Sequence, residues 1–257
     1  MTDPRPLILI TNDDGVKAPG LHKLIEIARN LGDVIAVAPE LPQSGMSSAI
    51  TVNRALFINE HPEYEGSRVY SVNGTPVDCV KLALRAIADC KPALVLSGIN
   101  HGSNAGNSVV YSGTMGAASE GCMAGIPSVG FSLTHHSIKA DFNPGMPFID
   151  RITRAVLANG LPDGICLNVN IPAKCTPEGI KVVRAARGHW TEEYAEYSTP
   201  HGQPFYWLQG NFVNIDEGDP DTDEYWLDRQ YVTVVPYRPE HNEPESIQKS
   251  IAASLGL

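Results

Sequence analysis

No stretch of the 257 residues approaches the roughly 20 consecutive apolar residues that a membrane-spanning helix needs. The opening MTDPRPLILI is too short in apolar residues, and runs into charge too soon, for a secretory signal. Clustered Lys and Arg are missing too: 19 basic residues face 29 acidic ones, for a net charge of −10. A surface for a nucleic-acid polymer needs such a basic block, so long polyanions are not expected partners. The five cysteines (Cys79, Cys90, Cys122, Cys166, Cys175) contain no C-x-x-C pair and are odd in number. They read as small buried hydrophobes in a reduced compartment rather than a disulfide frame, which predicts a cytoplasmic protein with no membrane partner. There is no internal repeat and no low-complexity linker. Walker-type G-x-x-x-x-G-K spacing and a dinucleotide fingerprint with its acidic residue are likewise absent.

What the chain does contain is alternation. PLILIT (6–11), DVIAVAP (33–39), SRVYSV (67–72), ALVLSG (93–98), PSVGFSL (127–133) and GICLNVN (164–170) read as strands. Between them, Leu21, Leu24, Ile25, Ala28 and Leu31 form a helical stripe, with Pro19 in its first turn and Gly32 as its expected cap. Thr75 and Asp78 have capping-box spacing ahead of a second helix, with Pro76 at its first position. Helices are also predicted at 114–125 and about 147–159. Strands separated by helices imply parallel pairing through right-handed crossovers. The predicted fold is therefore α/β: a three-layer sandwich with a mostly parallel, Rossmann-like sheet, and ligands bind such sheets outside the carboxyl ends of the strands. Beyond about 175 the pattern changes. IKVVRAAR and QYVTVVPY (230–237) look like strands, an aromatic-rich acidic stretch lies between them, and 243–256 reads as a helix. The chain is divided accordingly into a core at 1–175 and, at 176–257, an extension of the same domain suited to oligomer contacts.

The chemistry concentrates at three loops. TNDDG (11–15) ends the first strand with adjacent carboxylates, Asp13 and Asp14. Asp-Gly is also a common turn dipeptide, but charge at the end of a buried strand calls for a positive partner. The polar loop APELPQSGMSSAIT (38–51) carries Ser44, Ser47, Ser48 and Thr51, any of which is a neutral oxygen donor. SGINHGSNAGNSVVYSGTMGAASEG (97–121) adds Asn100 and Asn104 and a glycine-rich helix start, Tyr111 to Thr114, whose amides suit an anion. Carboxylates with hydroxyl and carboxamide oxygens select Mg²⁺, Mn²⁺ or Ca²⁺ over zinc, and a hard cation beside a phosphate cradle points to metal-assisted phosphoryl hydrolysis. His101 reads as an exposed loop histidine, His135 and His136 would point opposite ways in an extended segment, and His189 and His201 carry no signal.

ILITNDDGVKAPGL, VAPELPQSGMSSAIT, VNGTPVDCVKLAL, LVLSGINHGSNAGNSVVYSGTMGAASEGCMAGIPSVGFSL and LNVNIP resemble, in order and spacing over about 7–172, the signature blocks of the SurE (survival protein E) nucleotidases. Ala93 stands where that family often has Asp. The resemblance implies a divalent-metal-dependent phosphatase of nucleoside 5′- and 3′-monophosphates, in some members also of short polyphosphate. Carried over, it implies one cation per subunit, Mg²⁺ or Mn²⁺ with Ca²⁺ possible in crystals, on Asp13, Asp14, Ser44 and Asn100. Asp13 and Asp14 are then the catalytic pair, and Asn104, Ser112, Gly113 and Thr114 line the phosphate site. It also implies a homodimer or homotetramer in which the C-terminal extension exchanges between subunits. Two other readings remain on the sequence. One is a non-catalytic metal-dependent nucleotide or phosphate sensor. The other is a metal-dependent deacetylase, which usually adds histidine ligands, and no histidine flanks DDG before His22.

Overall fold

The computed structural model describes residues 5–137, 139–240 and 245–255. Its spine is a nine-stranded sheet of β1 (Leu7–Thr11), β2 (Asp33–Pro39), β3 (Ile58–Tyr64), β4 (Ser67–Val72), β5 (Leu94–His101), β6 (Ser128–Leu133), β7 (Cys166–Ile171), β8 (Ile180–Val182) and β13 (Val232–Tyr237). The order is β3-β4-β2-β1-β5-β6-β7-β13-β8. The six strands from β4 to β7 are all parallel. Counted among themselves they run 3-2-1-4-5-6, the doubly wound order, whose direction reverses between β1 and β5.

Alternation along the strands builds the layers. Ile8 and Ile10 face one side, where α1 (Pro19–Ala28) and α4 (Met146–Asn159) bury Leu21, Leu24, Ile25, Ile149, Ile152 and Val156. Leu7 and Leu9 face the other, against α2 (Pro76–Leu82) and α3 (Gly113–Met123). This is the predicted α/β sandwich. The capping box forms as its spacing predicts: Asp78 N–H donates to Thr75 Oγ1 (3.1 Å) and Thr75 N–H donates to Asp78 Oδ2 (2.9 Å). α1 stops four residues short of Gly32, and β5 runs three residues past its predicted end.

β3 was not expected. It pairs antiparallel with β4 at the sheet edge, where an irregularity after His61 accommodates Pro62. In the C-terminal region β13 inserts antiparallel to β7 and parallel to β8, so this strand is hydrogen-bonded into the same sheet. IKVVRAAR is strand only over its first three residues. The stretch between β8 and β13 makes two small antiparallel pairs, β9 (Gly188–Thr191) with β12 (Asn211–Asn214) and β10 (Tyr194–Ser198) with β11 (Pro204–Leu208). The short α5 (Asp223–Leu227) precedes β13, and α6 (Glu245–Ser254) occupies the predicted last helix, whose outer residues 243, 244 and 256 lie outside the described ones.

Candidate functional site

β1 and β5 flank the point where strand order reverses, and their carboxyl ends carry the candidate residues. Asn12 closes the turn after β1: Gly15 N–H donates to Asn12 Oδ1 (3.1 Å), and Asn12 Nδ2 donates to the Gly15 carbonyl (3.0 Å). That turn holds Asp13 buried and Asp14 half-buried at the rim. The backbone of Asp13 also anchors the second loop, since Gln43 N–H donates to its carbonyl (2.7 Å). Ser44, the next residue, is thereby tethered through its neighbour to the backbone of the DDG turn, and it is exposed.

β5 reaches the site through a bulge. Ser97 pairs with Gly130 and Asn100 with Ser132, so β5 spends one residue more than β6 over the same span. Gly98 makes this possible: its φ is +129°, and a Cβ there would lie 2.3 Å from the Phe131 carbonyl oxygen. The bulge brings Asn100 and His101 to the turn. Asn100 Nδ2 donates to the Gly102 carbonyl (3.0 Å), which leaves its Oδ1 without a donor among the described residues. His101 donates twice to Asp14 Oδ2, from its backbone N–H (3.1 Å) and from Nδ1 (3.0 Å).

His101 was expected on an exposed loop. Its side chain is in fact 7 % exposed, edge-on to Phe142, with a buried Nε2 that has no partner among the described residues. A histidine thus does touch the DDG turn, brought there by the strand pairing rather than by proximity in the chain. The only signal in the sequence was its place directly after Asn100. His136 packs its ring near Gly102, and His189 and His201 are exposed.

α3 completes the site. Ser112 caps it, accepting a hydrogen bond from Met115 N–H at Oγ (3.1 Å). Thr114 Oγ1 donates to Asp13 Oδ1 (2.6 Å). Thr114, expected to face a phosphate, thus commits its hydroxyl to the carboxylate, because its position in the first turn of α3 faces the end of β1. Gly113 is the point of contact: a Cβ there would lie 2.9 Å from Asp13 Cβ. Burial pushes the Asp13 carboxyl up to about 6; the Thr114 hydrogen bond opposes the rise and the Asp14 charge adds to it.

Asn104 is buried and held from three sides. Its Nδ2 donates to Ser132 Oγ (2.7 Å), its N–H donates to Asn170 Oδ1 (2.8 Å), and its carbonyl accepts from Asn168 Nδ2 (2.8 Å). Asn168 and Asn170 sit two apart on β7, on one face of the sheet, and Asn170 Nδ2 donates to Asn168 Oδ1 (3.2 Å). The LNVN run is thus a brace for Asn104, a role that its spacing alone did not reveal.

The donor set fits a hard divalent cation. Two adjacent carboxylates, one of them buried, have no Lys or Arg partner among the described residues; their only basic neighbour is His101. The remaining donors, Asn100 Oδ1 and the Ser44 hydroxyl, are neutral oxygens. No cluster of three or more His, Cys, Asp and Glu suited to a metal occurs among the described residues. Nor is any described helix long and apolar enough to cross a membrane.

The model of the family described as "Survival protein SurE" matches residues 8–192. The chain is 53 % identical over 240 residues to the 5′-nucleotidase SurE of Christiangramia forsetii, covering 92 % of each. It is 47 % identical over 247 residues to the 5′-nucleotidase SurE of Flavobacterium psychrophilum, covering 95 % of this chain and 96 % of that one. The crystal structure of the SurE protein from Aquifex aeolicus superposes with a TM-score of 0.82 at 35 % identity, over 97 % of this chain and all of the other.

Proposed function

The chain belongs to the SurE family, and on that premise we propose that it is a metal-dependent phosphatase hydrolysing nucleoside 5′-monophosphates, and 3′-monophosphates and short polyphosphate with them. The observation that carries this reading is the 2.6 Å hydrogen bond from Thr114 to Asp13. It joins the acidic strand end to the N-terminus of α3, so groups that attract a cation and groups that attract an anion share one pocket.

In this mechanism Asp13, Asp14, Ser44 and Asn100 would hold one Mg²⁺ or Mn²⁺. When bound, such an ion supplies Lewis-acid polarisation of the phosphoryl group and acidifies water. The positive end of α3, the Ser112 hydroxyl and the braced Asn104 orient the phosphate and stabilise the charge that develops on its oxygens. Thr114 keeps Asp13 aimed at the pocket, and His101 does the same for Asp14. A chain with net charge −10 thereby meets an anionic substrate without basic side chains, the cation and helix end providing the local field.

The test is phosphate release from 5′-AMP, 3′-AMP and p-nitrophenyl phosphate, with Mg²⁺ or Mn²⁺ and with EDTA. Release abolished by EDTA, restored by Mn²⁺ and faster on the nucleotides is the expected result. Release that persists in EDTA overturns the metal requirement. Tight metal-dependent nucleotide binding without any release would make the chain a sensor instead.

A homodimer or homotetramer in the cytoplasm belongs to the same reading. Its support is the β10–β11 pair, on which Tyr194, Tyr197, Tyr206, Trp207 and Leu208 are all more than half exposed. Apolar side chains concentrated in this way mark a contact surface. Light scattering behind a sizing column should give a mass at least twice 27.7 kDa, and Trp207→Ser should lower it; a monomer at micromolar concentration refutes the assembly.

A further inference from the structure

Asp223 is fully buried, yet it has no cationic partner among the described residues. Three backbone amides satisfy it instead. Gly106 N–H donates to Oδ2 (2.8 Å), while Ala186 N–H (2.8 Å) and Glu224 N–H (2.9 Å) donate to Oδ1. Burial raises its pKa and these three hydrogen bonds pull it back, the balance expected of a carboxylate caged in peptide dipoles.

The amide on Oδ2 belongs to a distant segment. Gly106 lies 117 residues upstream, two positions after Asn104, and begins the 3₁₀ turn Gly106–Tyr111 that delivers the chain to Ser112. Gly106 has φ +53°, and a Cβ there would lie 3.0 Å from Phe212 Cζ and 3.1 Å from the Ala186 carbonyl oxygen. Its neighbour Asn107 donates through Nδ2 to the Gly188 carbonyl (2.7 Å). The outer side of the turn between Asn104 and Ser112 is therefore seated on residues 186–223, at its base on a single carboxylate oxygen.

We propose that Asp223 is a positioning residue for phosphate binding: by holding the Gly106 amide it sets the spacing between Asn104 and the Ser112 end of α3. The proposal rests on the reading that these two groups face the substrate phosphate. It makes the C-terminal region part of the phosphate site within one subunit, apart from any role in assembly. Asp223 does not touch the substrate. Its effect is on the geometry of the donors that do, and so on the affinity for the phosphate group whatever nucleoside is attached.

Four variants decide it, read by inhibition by inorganic phosphate, by kcat and KM for 5′-AMP, by Mn²⁺ affinity from calorimetry and by Tm. In Asp223→Asn an NH₂ group replaces one acceptor oxygen and confronts a backbone N–H. The expected result is a rise of about tenfold in both the phosphate inhibition constant and the KM for 5′-AMP, in line with the loss of one charged hydrogen bond. kcat is expected to change less than KM, and Mn²⁺ affinity is expected to stay constant. Gly106→Ala attacks the same contact from the other side and should give the same pattern, so it decides the matter if Asp223→Asn does not fold. Asp216→Asn disturbs another buried carboxylate of this region, bound to Arg184 and Arg187 but not to the turn. It should lower Tm and leave the phosphate constant alone. Ser112→Ala tests the premise and should weaken phosphate. If Ser112→Ala weakens phosphate while Asp223→Asn and Gly106→Ala do not, the positioning role is overturned. If none of the three weakens it, the phosphate site itself is elsewhere and the proposal falls with it.

Discussion

Asp13→Asn should cut phosphate release by roughly a thousandfold or more, since it removes a charge that faces the cation in a pocket where such charge is worth most. The same variant should be the more stable protein when no metal is present. Burial raises the folded-state pKa of Asp13 from 3.8 to about 6, so the folded chain holds this proton more tightly than the unfolded chain. For a carboxylate shifted upward, that stability is present below pH 3.8 and lost as pH rises towards 6. The loss is on the order of 3 kcal/mol if the whole shift is expressed. Asparagine carries no such cost, and its Oδ1 can still accept from Thr114. In EDTA at pH 7.5 the variant should therefore melt several degrees above the wild type, and the difference should vanish near pH 4. Mn²⁺ should raise the Tm of the wild type and leave that of the variant unmoved. A variant that melts far lower while keeping its activity would show Asp13 to be structural.

Gly116→Ala is the second large effect, and it damages the site from behind. A Cβ on Gly116 would lie 2.1 Å from the Ser47 carbonyl oxygen, 2.8 Å from its carbon and 3.2 Å from Ser48 Cα, all of them backbone. The loop cannot simply retreat. Ser47 N–H donates to the Tyr111 carbonyl (3.2 Å), Ser47 Oγ donates to the Val110 carbonyl (2.7 Å), and Gln43 N–H donates to the Asp13 carbonyl (2.7 Å). One methyl group must therefore push α3 away from the loop or break these hydrogen bonds, a cost of about 3 kcal/mol. That corresponds to a fall in Tm of roughly 6–12 °C for a chain of this size. Because Ser44 and the Ser112 cap lie on the two sides of the displaced contact, Mn²⁺ and phosphate should both bind more weakly. Calorimetry and a melting curve are sufficient. A variant with wild-type Tm and unchanged Mn²⁺ affinity would mean that the loop and α3 are not in rigid contact.

Where the sequence was legible, the side-chain pattern itself reported the environment. The β1 and β2 segments are nearly continuous apolar runs because both faces of a parallel sheet are covered by helices. β3 escaped because an edge strand that is exposed along most of its length, INEHPEY, has no such run and contains a proline. β9 to β12 escaped for a related reason: most of their side chains face outward, so burial imposes no period on them. At the site, the residue types in DDG, the serine loop and SGIN are the oxygen donors on which the proposed hard-cation chemistry rests. His101 was misjudged as exposed because its burial depends on a bulge and on Phe142, which lies 41 positions later in the chain.

The sequence by itself determined the parallel α/β sheet, the placement of its loops at one edge, and the kinds of donor gathered there, since local periodicity and residue chemistry are properties of short segments. Only the tertiary structure decided which donors meet. Thr114 bonds to Asp13, His101 to Asp14, Asn168 and Asn170 to Asn104, and Asp223 to Gly106 across separations of 64 to 117 residues. A hydrogen bond needs its two atoms near 3 Å apart and aligned, and that condition is set by strand order, the β5 bulge and the helix contacts of the whole folded chain.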